Sequence, residues 1–307
     1  MSAEPLPESP RHLAIAALVF GAALWGCFWW PLRFFSSQGL AGPWLIAAVY
    51  VVLAAPTLAL VRWRRLRWRR DGKVLVALTL LGGWTNVAFL LALFHGSVVR
   101  VLLLFYLSPV WSLLLAWLLL KEPLGWRGIL AGALAMAGSI LVVDHGAAGP
   151  WSPLDPDDFL AVSAGLAFAA SNVLLRGNRS VPDRERAVAI WWGCAALGLG
   201  VAAFAPWPTH ISGQWWLLPV FAWLWVGGAT AATLYGVARL PVSLSAVIMP
   251  VEILFGAVSA WLLAAETVSG FEFLGGLAIL TAAWLQMRRP TLPGPIATDA
   301  GGEEPGD

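Results

Sequence analysis

The sequence predicts an all-α polytopic membrane protein of ten transmembrane helices in two inverted five-helix repeats. Three observations predict it. The 307 residues are 59% hydrophobic and only 12% charged, whereas a soluble domain carries about 25% charge. The apolar residues fall into ten runs, each near the length of about 20 residues that a spanning helix needs. A stretch in mid-chain, Tyr106 to Gly132, also has an echo near the end of the chain.

The ten runs cover about 13–33, 40–61, 74–94, 97–119, 126–143, 158–176, 187–206, 215–236, 242–264 and 269–287. Runs so continuously apolar exclude a β-barrel, whose strands alternate. The N-terminal MSAEPLPESPRH lacks the basic region and cleavage site of a signal peptide, so the first run is expected to stay as a helix. Residues 1–12 and 288–307 read as disordered, being rich in Pro and acid. Residues 13–143 form the first repeat, 144–157 an outer linker and 158–287 the second repeat.

Charge sets the expected orientation, because cytoplasmic connections collect Lys and Arg. With both termini in the cytoplasm, 17 of the 19 basic residues lie inside, seven of them between Arg62 and Lys73. Only Arg33 and Arg100 fall outside, together with the acids Asp144, Asp155, Asp157 and Asp158. Glu272 falls there too, in a loop or at the outer end of the last helix. Nine or eleven helices would scramble this bias.

The echo of Tyr106–Gly132 lies 144 positions on. Trp117, Glu122 and Gly132 recur as Trp261, Glu266 and Gly276, and Ser108 maps on Glu252. At an offset of 143, Trp25, Trp29 and Arg33 map on Phe168, Asn172 and Arg176, each set lining one helical face. Five helices per repeat is an odd number, so the second copy is inverted. Inverted repeats are common in secondary transporters, which place their site near the midplane.

Glu252 lies about ten residues into the ninth run. A carboxylate at that depth is costly and usually functional. It is a candidate for carrying a proton or cation, or for holding a substrate amine; the alternative is a structural Glu bonded to another helix. Arg33 and Arg100 suit a carboxylate in an outer vestibule, or simply reach to the headgroups. Pro31, Pro109, Pro219 and Pro250 each remove an amide donor and free a carbonyl one turn back, for Pro109 that of Phe105 and for Pro250 that of Ala246. Pro109 and Pro250 are candidate hinges. Asn86, Tyr106, Ser108, Asn172 and Tyr235 line a pathway or join helices by hydrogen bonds. Trp25 and Trp29 lie deep enough to wall a substrate site, or to pack. Gly128 and Gly132 permit close contact, expected between the fifth and tenth helices.

Catalytic signatures are absent from the sequence. It holds no HExxH, P-loop or GxSxG, and Cys27 and Cys194 offer neither a disulfide framework nor metal spacing. Enzymatic activity, cofactors, metals and nucleic-acid partners are therefore not expected.

The segments LSPVWSLLLAWLLLKEPL and VEILFGAVSAWLLAAETVS, with ALWG at 23–26, resemble the signature segments of the drug/metabolite transporter superfamily, in its EamA group. The resemblance covers about 13–287. It implies ten helices, cytoplasmic termini, a bacterial inner membrane, and transport of small metabolites, amino acids prominent among them. Glu252 matches the family's usual Glu. The proline that usually follows is present as Pro109 but replaced by Ile253, with Pro250 lying earlier instead. The function expected is efflux of a small organic solute by alternating access, with proton or cation coupling, as a monomer or homodimer. A lipid carrier or scramblase, and a non-transporting assembly subunit, are the alternatives.

Overall fold

The computed structural model describes residues 8–58, 68–121, 126–144, 155–177, 181–208, 213–240 and 248–287. Ten helical segments carry them. Helix α1 comprises Glu8–Gly26 and Trp29–Ser37, α2 is Gly42–Ala54, α3 is Trp68–His95, and α4 comprises Val98–Phe105 and Ser108–Leu120. Next come α5 (Trp126–Asp144), α6 (Pro156–Gly177) and α7 (Asp183–Ala202). Helix α8 runs through Trp215–Leu217, Leu218–Val220, Phe221–Gly227 and Gly228–Arg239, the third stretch being π-helical. Helices α9 (Val251–Ala264) and α10 (Gly270–Met287) complete the fold.

Five described helical stretches are long and apolar enough to cross a bilayer, among them Arg11–Ser37, Gly72–His95 and Val98–Leu119. Helices α2 and α9 and parts of α5 and α10 are apolar but shorter. Within the described residues the predicted spans fall on these elements with shifted ends; their parts 59–61 and 242–247 lie outside the described residues. Helix α7 starts at Asp183 rather than 187, because Pro182 opens it and its first-turn charges fit a membrane edge. Glu272 proves to be in the first turn of α10. Its carboxylate accepts from the Ser269 amide at 2.8 Å while its own amide donates to the Ser269 hydroxyl, a capping box.

The principal pairings are α5 with α10, α3 with α6 and α7, α2 with α7 and α8, α1 with α8 and α9, and α4 with α6 and α9. Exchanging the first five helices with the last five maps this set of pairings onto itself. A local feature follows the same exchange. Helices α4 and α9 both end on a left-handed residue, Lys121 (φ 54°) and Ala265 (φ 53°), whose amides bond to Ala116 O and Ala260 O. Non-Gly residues rarely take this conformation, so its recurrence 144 positions apart is informative.

Small residues let the helices approach. A Cβ on Gly138 of α5 would lie 2.6 Å from Gly275 O of α10. The α5–α10 contact expected from the sequence is thus present, but Gly138 makes it, while Gly132 faces open space. One large core runs through the molecule, built on Phe28, Trp29, Tyr50, Leu102 and Ile253 among others.

The described connections 38–41, 96–97 and 265–269, the start of α6 and the residues just after α7 lie toward one end, here termed distal. Arg33 meets Glu266 there, Arg100 meets Asp158, and the Trp44 indole donates to Pro206 O at 3.0 Å.

Candidate functional site at two broken helices

Three helices break where proline removes a backbone donor. In α1 the break is Cys27-Phe28, one turn before Pro31; in α4 it is Tyr106-Leu107, just ahead of Pro109. In α9, Pro250 caps the helix and Met249 precedes it. The Phe105 carbonyl freed by Pro109 faces α6, where a Cβ on Gly165 would lie only 2.7 Å from it. Ala246, the carbonyl freed by Pro250, lies outside the described residues.

The breaks in α4 and α9 meet. The Tyr106 hydroxyl lies 2.9 Å from Met249 O and 3.0 Å from Glu252 Oε2. Both residues are buried, at 8% and 6% exposure. A phenol carries one hydrogen. It can donate to the Met249 carbonyl or to the Glu252 carboxylate, and both contacts become full hydrogen bonds only when Glu252 is itself protonated and donates to the phenol oxygen. The arrangement therefore distinguishes the two protonation states of Glu252.

Helix α1 closes the third side. A Cβ on Gly26 would collide with Glu252 O and come within 2.9 Å of Gly256 N, so only Gly lets α1 lie this close to α9. Trp29, 2% exposed, donates from Nε1 to Ser259 Oγ at 2.9 Å, and the Arg33 guanidinium lies 4.7 Å over its ring. Trp25 stacks on Phe28 at 5.5 Å. Phe168 of α6 packs on Phe105 at 5.5 Å, with half-buried Asn172 one turn further along α6.

The remaining residues singled out in the sequence lie elsewhere. Asn86 bonds within its own helix to Gly82 O and accepts from the Tyr50 hydroxyl at 3.2 Å, linking α2 to α3. Ser108 is buried at the start of the second half of α4, and it is Tyr106 rather than Ser108 that touches Glu252. Arg33 and Arg100 are both in ion pairs, with Glu266 and Asp158. Sequence reasoning missed these carboxylate partners, although both acids were visible in it. A shallow apolar recess of about 280 Å³ lies between Leu40, Ala48, Trp215 and Leu218 at the distal end, away from Glu252. No group of three or more His, Cys, Asp and Glu residues among the described residues could hold a metal ion.

The elements define a multi-pass α-helical membrane protein with broken helices at its centre. The model of the EamA-like transporter family, a family of membrane transporters within the drug/metabolite transporter superfamily, matches residues 12–144. A solved structure titled only "Crystal structure of protein" matches over 91% of this chain and 96% of its own, with a TM-score of 0.58 and 19% identity; it supports the fold. No curated protein matches the chain.

Proposed function

We propose that the chain is a secondary transporter that exports small organic metabolites, amino acids among them, by alternating access around a cavity near the membrane midplane. The observation that carries this reading is the contact between the two helix breaks, Tyr106 in α4 and Met249–Glu252 in α9. A break exposes backbone that only a lined cavity or protein neighbours can satisfy in lipid, and two breaks in contact form a point about which helices can move.

In this reading residues 13–143 and 158–287 are inverted repeats joined through 144–157, and they rock about the shared centre. Both termini face the cytoplasm of a bacterial inner membrane, and the protein works as a monomer or homodimer. Glu252 takes a proton from one side and gives it to the other, moving it against the substrate. With Glu252 protonated, Tyr106 holds Met249 and Glu252 together and ties α4 to α9. Loss of the proton leaves one phenol hydrogen for two acceptors, which weakens one tie and frees α9 to move. Trp25, Tyr106, Ser108 and Asn172 line the pathway, and Trp29 holds α1 on α9 through Ser259.

Purified protein in proteoliposomes loaded with a radiolabelled amino-acid mixture tests the transport reading. Release faster than from empty-membrane controls, accelerated by a proton gradient directed against the substrate, supports it. Release equal to the controls with amino acids, nucleosides and organic amines alike overturns it.

A further inference from the structure

The distal end carries two ion pairs, and both act on the first turn of α4. Arg33 at the end of α1 donates to Glu266 Oε1 at 2.9 Å, in the connection between α9 and α10. The other oxygen of Glu266 accepts from the Val98 amide at 3.1 Å and the Ser97 hydroxyl at 3.3 Å, so it caps α4. Two residues after Val98, Arg100 grips Asp158 of α6 with two parallel bonds, Nε to Oδ1 at 2.7 Å and an end nitrogen to Oδ2 at 2.6 Å. Asp158 also accepts from the Asp155 amide at 3.0 Å.

These pairs differ in two ways. The Arg100 and Asp158 side chains are only 12% and 6% exposed, against 38% and 20% for Arg33 and Glu266. Bidentate pairs screened from water are stronger than exposed ones, and removing one partner leaves an uncompensated buried charge. They also differ in symmetry. Arg33 and Glu266 have sequence counterparts in Arg176 and Glu122 of the opposite halves. Arg100 and Asp158 have none: their counterparts are Leu244 and Ile15.

We propose that Arg100–Asp158 is a distal latch, which fastens α4 to α6 and makes the carrier rest with its distal end closed. The corresponding positions, Leu244 and Ile15, carry no charge, so the repeat correspondence does not duplicate the latch, which weights the state closed at the distal end. Opening the distal end separates α4 from α6 and exposes both charges to water, which hydrates them and offsets part of the loss. This inference rests on the alternating-access reading, but its test needs no transport.

Hydrogen–deuterium exchange on the full chain in lipid nanodiscs reads both ends at once. In Arg100→Ala, exchange at 97–105 and 155–165 is expected to rise at least about threefold, while exchange near Gly236–Leu240 at the opposite end falls. The swapped variant Arg100→Asp with Asp158→Arg should return both ends toward the parent pattern. A rise at the distal end with no fall at the other, or a rise everywhere, shows a local brace and overturns the latch. A protein that exchanges reciprocally yet moves no solute in proteoliposomes would keep the latch and sink the transport assignment. If Arg100→Ala fails to fold, Arg100→Lys, which keeps the charge but not the two parallel bonds, is read in the same way.

Discussion

Tyr106 and Glu252 lie 146 positions apart and meet at 3.0 Å, each in or beside a helix break. The same phenol oxygen lies 2.9 Å from the Met249 carbonyl, so one hydroxyl bridges the backbone and the carboxyl of the second break. This bridge is what most directly connects the fold to a transport cycle.

Tyr106→Phe removes the bridge and keeps the ring that packs on Phe105. A lost internal hydrogen bond costs about 0.5–1.5 kcal/mol, and the buried carboxyl loses a partner as well. A modest fall in thermal stability is expected, together with a changed pH profile of transport. An unchanged pH profile would mean that the phenol does not sense the protonation of Glu252.

Much of this was legible in the sequence. Long apolar runs fix spanning helices because lipid leaves a chain few alternatives, and Pro31 and Pro109 each mark a break within about a turn. The contact partners were not legible. The offset of 144 pairs Ser108 with Glu252, but an offset identifies equivalent positions, and equivalent positions touch only near the axis that relates the halves. Tyr106 lies in the break of α4 and Ser108 opens the helical stretch after it, so the two have different neighbours, and it is Tyr106 that reaches α9. The ion pairs were hidden for a similar reason: Arg33 and Glu266 are 233 positions apart and Arg100 and Asp158 are 58 apart. Nothing local in the sequence joins them.

The α1–α9 seam makes a separate prediction. Trp29→Phe removes the indole bond to Ser259 Oγ, and Ser259→Ala removes the acceptor. Each is expected to lower stability by about 1 kcal/mol, and the double variant should fall short of the sum, because both act on one bond. Additive losses in a denaturation cycle would show that the bond contributes nothing.

Close helix approach makes another. Gly138→Val would force side-chain atoms into Gly275 O and the Ala278 Cβ, which a Cβ alone already meets at 2.6 and 3.0 Å. Overpacking of this kind costs about 1–3 kcal/mol. A lower melting temperature in detergent is expected for Gly138→Val, with little change for Gly132→Val, since Gly132 faces open space. Equal losses at the two positions would contradict the α5–α10 contact described above.

Glu252 is the proposed carrier of the coupled proton, and Glu252→Gln is the variant that decides it. Gln keeps the shape and can still bond to Tyr106, but it cannot exchange a proton. In proteoliposomes with a substrate found by the release assay, the parent should respond to an imposed proton gradient, while the Gln variant should exchange substrate across the membrane with no response to the gradient. A Gln variant that still accelerates with the gradient as the parent does would contradict the account.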